Sequence, residues 1–157
     1  MPQLSIHSPV GDLTISEDEG KIVAVDWGWG RDQDHTPLLD HTAHLLNRYF
    51  DGETVAFDLP LDPYGSTFQR AVWDIMLNIP YGETLTYGEV SQKLNSSARA
   101  VGTACGRNPI PIIIPCHRIL ASGGNLGGYT ADGGVEIKEA LLNLEGALNT
   151  PQLSFKI

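Results

Sequence analysis

Two neighbouring side chains could do chemistry together, the thiol of Cys116 and the imidazole of His117. A thiolate is a strong, polarisable nucleophile near neutral pH when a base or cation assists it, and histidine suits that assistance. The surrounding segment, residues 110–118, reads Ile-Pro-Ile-Ile-Ile-Pro-Cys-His-Arg. Its β-branched Ile112, Ile113 and Ile114 predict a short buried strand. Pro115 cannot donate to a ladder and ends it, presenting Cys116 at a strand end. Adjacent residues of an extended chain point to opposite faces, so a Cys116–His117 pairing needs a turn at Pro115 or a bridging water. Glu145 lies at the end of a C-terminal helix, where a carboxylate meets the negative end of the helix dipole. That placement argues for a partner such as His117.

Periodicity gives the elements that must position these groups. Residues 4–7, 13–16 and 22–27 predict short strands, paired antiparallel because their connections are too short for crossovers. A polar loop, GWGRDQDHTP, precedes a helix over 38–50. Residues 55–59 predict one more strand, and PLDPYGS reads as a linker. From Ser66 the pattern turns helical: Phe68, Val72, Ile75 and Met76 share a face, with Ser66 or Thr67 as cap. Thr86-Tyr87-Gly88-Glu89 has the form of a capping box opening a helix to Leu94. After the turn Asn95-Ser96-Ser97, a helix over 98–105 stops at Gly106. Two short helices across a small turn outline a helix-turn-helix, which many enzymes share without binding DNA. On the second, Ala98, Val101 and Cys105 should face the core, leaving Arg99 and Thr103 outside with Ala100 beside them. A glycine-rich loop, ASGGNLGGYTADGGVE, leads to a helix over 137–146.

With 157 residues, 41% of them apolar, the chain can bury a core without metal or disulfide staples. Cys105 and Cys116 form no CxxC pair and no disulfide framework, which favours a reducing compartment. No leader or membrane-length apolar run is found, so the expected location is the cytoplasm, with no membrane partner. His35, His41 and His44 have no cysteine near them, and neither metal nor cofactor is expected. The net charge of −9 argues against a generic nucleic-acid binder, yet residues 1–62 carry all of it, with twelve acids and three bases. Residues 63–157 are neutral, and 81–118 hold Lys93, Arg99, Arg107 and Arg118 against Glu83 and Glu89. The second part can therefore meet an anionic partner.

Pro115-Cys116-His117-Arg118 resembles the signature of the O6-alkylguanine-DNA alkyltransferases. The likeness extends to Phe68-Gln69, Val72-Trp73, residues 79–84, Thr86-Tyr87-Gly88, Arg99-Ala100-Val101-Gly102, Asn108-Pro109, Gly127-Gly128-Tyr129, Leu141-Leu142 and Glu145-Gly146. The resemblance covers residues 63–146 and implies an α/β protein of two domains. A small N-terminal domain, 1–62, holds an antiparallel sheet and a helix. A mostly helical domain, 63–157, holds the helix-turn-helix and the active-site cysteine.

The implied function is suicide repair: a monomer enters the minor groove of double-stranded DNA and flips out O6-alkylguanine. It then moves the alkyl group irreversibly to Cys116, with O4-alkylthymine a minor substrate. By the same resemblance, His117 is the base through a water, Glu145 holds the imidazole and Asn108 supports the thiol site. Tyr87 gives its proton to the leaving guanine. Arg99 fills the vacated stack, and Ala98, Ala100, Thr103 and Arg107 complete the DNA-binding face. Pro111 shapes the alkyl groove, Ile119 reads the base, Tyr129 walls the pocket and the Thr130 amide approaches O6.

Two departures stand out, a shorter turn at 95–97 and a longer loop after Tyr129. Two competing readings are a lesion sensor, whose relatives carry tryptophan where Cys116 stands, and a cysteine hydrolase.

Overall fold

A computed structural model of the chain describes residues 1–127 and 134–148. Tyr129 and Thr130, with the longer loop they open, lie outside the described residues.

The chain begins as an antiparallel sheet of β1 (Gln3–Ile6), β2 (Leu13–Asp18) and β3 (Lys21–Trp27), in that spatial order. Its register sets Leu4 opposite Ile15 and Ile15 opposite Val25, so strand alternation gathers apolar side chains on one face. That face packs on α1 (Pro37–Phe50), whose Leu39, Ala43 and Leu46 are buried. Thr36 caps the helix by accepting from the Leu39 amide at 3.0 Å, and Pro37 opens it. Each such leucine contributes roughly 1.5–3 kcal/mol when fully buried. The opposite sheet face is buried too, although it carries Ser5, Thr14 and Ser16. The polar loop satisfies it: Thr14 donates to the Gly28 carbonyl at 2.8 Å, and the Gly30 amide donates to Ser5 Oγ at 2.9 Å.

The expected strand at 55–59 does not form. The edge of β3 instead bonds further on, with Ile22 N donating to Pro60 O at 2.8 Å.

The second part is mostly helical. A reciprocal capping box between Ser66 and Gln69 opens α2 (Thr67–Leu77), and another, between Thr86 and Glu89, opens α3 (Tyr87–Lys93). Ahead of α3 lies the two-residue strand β4 (Leu85–Thr86). Asn95 takes the left-handed conformation, φ 53°, and turns the chain into α4 (Ala98–Gly106), capped by Ser97. Helices α3 and α4 are the helix-turn-helix, with α2 packed behind α4 through Trp73, which donates to the Ala104 carbonyl at 3.0 Å. Gly106 is the last helical residue and not a stop, since Arg107 caps the helix with a negative φ. Val101, Ala104 and Cys105 face the core, while Ala98 is exposed because it opens the helix and has no preceding turn beside it.

The isoleucine run also departs from expectation. Ile112, Ile113 and Ile114 are buried, at 1%, 2% and 0% exposure, but form no strand. Pro111 and Pro115 remove donors on both sides, and the chain coils, with Ile113 N donating to Pro111 O at 2.9 Å around Ile112 at φ 73°. A β-branched residue at positive φ stores about 1–3 kcal/mol of strain, held by the packing around it. The strand comes after the cysteine instead, as β5 (Ile119–Leu120), parallel to β4. Helix α5 (Gly134–Leu144) follows.

Candidate active site

Cys116 is presented by a turn. Pro115 has φ −81° and ψ 69°, the inverse γ-turn conformation that the pyrrolidine ring favours, and the Cys116 amide donates across it to Ile114 O at 2.8 Å. Cys116, His117 and Arg118 then make a single 3-10 turn, all three buried. The turn that a Cys–His pairing requires therefore exists at Pro115. Asn108 spans the coil beneath it, donating from Nδ2 to Ile114 O at 2.8 Å and accepting from Ile110 N at 2.9 Å. Pro111 is buried inside the same coil, and Ile119, wholly buried, begins β5 directly after the turn.

Glu145 is set by the end of α5. Gly146, at φ 75°, donates to Asn143 O at 3.0 Å, and Ala147 donates to Leu142 O at 2.9 Å. This pair of bonds is a Schellman motif with Glu145 at the cap, and glycine suits the left-handed position after it. The carboxylate is aimed inward. Its Oε2 accepts from His117 Nε2 at 2.7 Å, Tyr49 Oη at 2.6 Å and Arg118 Nη2 at 3.0 Å. Its Oε1 accepts from Arg118 Nε at 2.8 Å and the Gly82 amide at 3.2 Å. Arg118 thus grips the carboxylate with two arms and fixes its own third group on Ile79 O at 2.7 Å.

These contacts settle the protonation states. Burial pushes the Glu145 carboxyl up, but the hydrogen bonds from His117 and Arg118 outweigh it and hold the group at about 2. Burial lowers His117 below the usual imidazole range, against the pull of Glu145. Burial and Glu145 hold Tyr49 well above the phenol range. A carboxylate can only accept, so His117 donates through Nε2 and its lone pair sits on Nδ1. That Nδ1 is buried and has no hydrogen-bond partner among the described residues.

Tyr87 is the first residue of α3, fixed by the Thr86 cap and by the pairing of Thr86 with Leu120, just past the Cys-His-Arg turn. Burial, with the neighbouring Cys105 and Cys116, pushes its hydroxyl up to about 12, so it keeps its proton. Lys138, wholly buried on α5, brings its ammonium 5.6 Å from the Tyr87 ring centroid. Lys138 and Glu145 are two helical turns apart, so this one segment reaches both Tyr87 and His117. Cys105 is pushed up to about 12, first by burial and then by Cys116, which keeps it an inert structural thiol.

On the outer side of α4, Ala98, Arg99 and Thr103 are exposed and Ala100 is half-buried, while Arg107 is exposed just past the helix. A shallow groove of about 430 Å³ runs between this face and the start of α2, with Phe68, Gln69, Arg99 and Thr103 among its lining. The site thus joins Cys116, His117, Glu145, Asn108 and Tyr87, while Arg99 and its neighbours form a separate face. No role was assigned from sequence to Tyr49 or Lys138, and Arg118, counted there among the bases that can meet an anionic partner, is instead buried against Glu145. A buried lysine two turns from Glu145 leaves a faint periodic signal, but Tyr49 leaves none.

A buried cysteine and histidine on one turn, mounted beside a helix-turn-helix, fit the class of cysteine-dependent DNA alkyltransferases. Residues 4–63 match the 6-O-methylguanine DNA methyltransferase ribonuclease-like domain and residues 67–147 the DNA binding domain, and the chain belongs to this family. The methylated-DNA–protein-cysteine methyltransferase of Methanosarcina acetivorans is 40% identical, the match covering 90% of this chain and 96% of that protein. That of Mycolicibacterium paratuberculosis is 50% identical, covering 90% of each. The crystal structure of Mycobacterium tuberculosis OGT in complex with DNA superposes with a TM-score of 0.82 at 40% identity, covering 91% of each chain.

Proposed function

We propose that the protein repairs O6-alkylguanine in double-stranded DNA by moving the alkyl group, once and irreversibly, onto Cys116. His117 Nδ1 takes the thiol proton through one water, and the Glu145 carboxylate stabilises the imidazolium that results. The Cys116 thiolate attacks the alkyl carbon, a C–S bond forms, and the C–O6 bond breaks with its electron pair going to the guanine. Tyr87 gives its phenolic proton to the guanine ring as that charge develops. Free guanine base is restored in the strand, and the protein ends as a thioether with no route back to the thiol. The observation that carries this reading is the Nε2 bond to Glu145, which leaves the basic Nδ1 as the nitrogen able to take a proton.

The target must leave the stack, because the duplex hides the alkyl carbon, and a poorly paired lesion is easier to extrude. Arg99 fills the gap from the minor groove, where the small Ala98, Ala100 and Thr103 let α4 approach and Arg107 meets the backbone. Pro111 and Ile119 belong to the pocket for the flipped base. The protein acts as a monomer in the cytoplasm, with residues 1–62 and 63–157 as its domains. The relatives' names and the DNA-bound neighbour support the DNA-repair part of this reading.

Stoichiometry tests it. With excess duplex containing O6-methylguanine, restored guanine should rise to one per protein and stop. Continued turnover would point to a hydrolase, and binding without restoration to a lesion sensor.

A further inference from the structure

Residues 1–62 carry the acidic charge of the chain, yet one of their side chains enters the site. Tyr49, in the last turn of α1, is wholly buried, and its hydroxyl donates to Glu145 Oε2 at 2.6 Å across 96 positions of sequence. Its ring is held edge-on by Phe50 and Tyr81, at 5.3 and 6.1 Å between centroids. A second tether runs alongside: Val25 N, on β3, donates to Pro109 O at 2.9 Å, at the root of the coil that carries Cys116.

We propose that Tyr49 is a positioning residue for alkyl transfer. Its hydroxyl shares Glu145 Oε2 with His117 Nε2, so the N-terminal part of the chain sets how strongly the carboxylate draws on the imidazole.

Three donors compete at a single oxygen. Oε2 takes three donors, from Tyr49, His117 and Arg118, while Arg118 Nε and the Gly82 amide hold Oε1. A carboxylate oxygen relieved of one donor becomes a better acceptor for those that remain. Without the Tyr49 hydroxyl, Glu145 binds the imidazolium form of His117 more strongly, and the carboxylate also loses one of the contacts fixing its plane. The charged and titratable groups facing this network are Arg118 and Lys138 toward His117, and Arg118 and Tyr81 toward Tyr49. All of them remain when the hydroxyl alone is removed.

Tyr49→Phe keeps the ring packing and removes only the donor. By nitrogen-15 NMR of the full chain, the wild type should show His117 neutral with the proton on Nε2. In Tyr49→Phe, the His117 titration should move to higher pH by half a unit or more (roughly a threefold change). This measurement uses no substrate, so it stands or falls apart from the alkyl-transfer reading on which the functional consequence rests. That consequence is an acid limb of the benzyl-transfer rate to Cys116 that moves to higher pH by the same amount, with a several-fold lower plateau. Unchanged His117 titration in a folded Tyr49→Phe protein overturns the inference, even if the variant melts earlier. Should the variant not fold, 3-fluorotyrosine placed at position 49 makes the hydroxyl a stronger donor at nearly unchanged size, and the His117 titration should then move to lower pH; an unchanged titration overturns the inference equally.

Discussion

Glu145 accepts five hydrogen bonds from four residues, and the protonation of this one carboxylate governs the site. Its folded value of about 2 lies below the free value of 4.5, so the unfolded chain binds the extra proton between them. The stabilisation is complete above pH 4.5 and is lost as pH falls toward 2. It amounts to something on the order of 3 kcal/mol. His117 acts in the same direction, because its folded value lies below the free 6.5, and stability begins to decline once pH drops below that point. Urea unfolding should therefore show a loss of stability that begins below pH 6.5 and steepens between pH 4.5 and pH 2. Glu145→Gln should be less stable at neutral pH and lose less on acidification, and equal slopes for the two proteins would contradict this account. Cys105→Ser should leave alkyl transfer within a few-fold of wild type, measured by benzyl-transfer rate, because that thiol is buried and held protonated.

At the scale of elements, two short connections place the chemistry. The Pro80-Tyr81-Gly82 turn brings the Gly82 amide to Glu145, with φ 81° and space for a Cβ only 3.1 Å from the Glu145 carbonyl oxygen. Gly82→Ala should destabilise the fold by about 1–3 kcal/mol, through positive φ and backbone crowding, as read by urea midpoint. Helix α4 supplies a separable function: Arg99→Ala should slow repair in duplex DNA far more than reaction with free benzylated guanine. Equal losses on both substrates would remove Arg99 from base flipping.

Much of this element pattern was legible in the sequence. The capping box at Thr86, a cap at Ser66, the turn at Asn95 and the three N-terminal strands follow from local chemistry, and the structure has them within a residue or two of those positions; the reciprocal bond from Gln69 at Ser66 was not foreseen. The coil at 110–114 was not legible, because three isoleucines favour a strand locally while the flanking prolines deny it a ladder. Cys116 consequently precedes β5 instead of ending a strand. The Tyr49 bond was hidden for a different reason: a tyrosine on a helix's core face has no local mark that its hydroxyl meets a distant carboxylate.

Over the whole molecule, charge is segregated: residues 1–62 hold twelve acids and three bases, and the remainder is balanced. The DNA-facing part has few bases to exchange for counterions, so the logarithmic salt dependence of DNA binding should be shallow, with a slope smaller than about 4. A steeper slope would require phosphate contacts beyond α4 and its surroundings. None of the described helices is long and apolar enough to cross a membrane. The acidic part shares one continuous apolar core with the rest of the chain and reaches the site through Tyr49 and the Val25–Pro109 bond.

The central claim is that Cys116 is consumed by the lesion. Intact mass and peptide mapping after incubation with an O6-methylguanine duplex test it directly. One added methyl per protein is expected, located on Cys116, with Cys105 unmodified and Cys116→Ser inert. A restored guanine with no methyl on the protein, or a methyl on another residue, would contradict it.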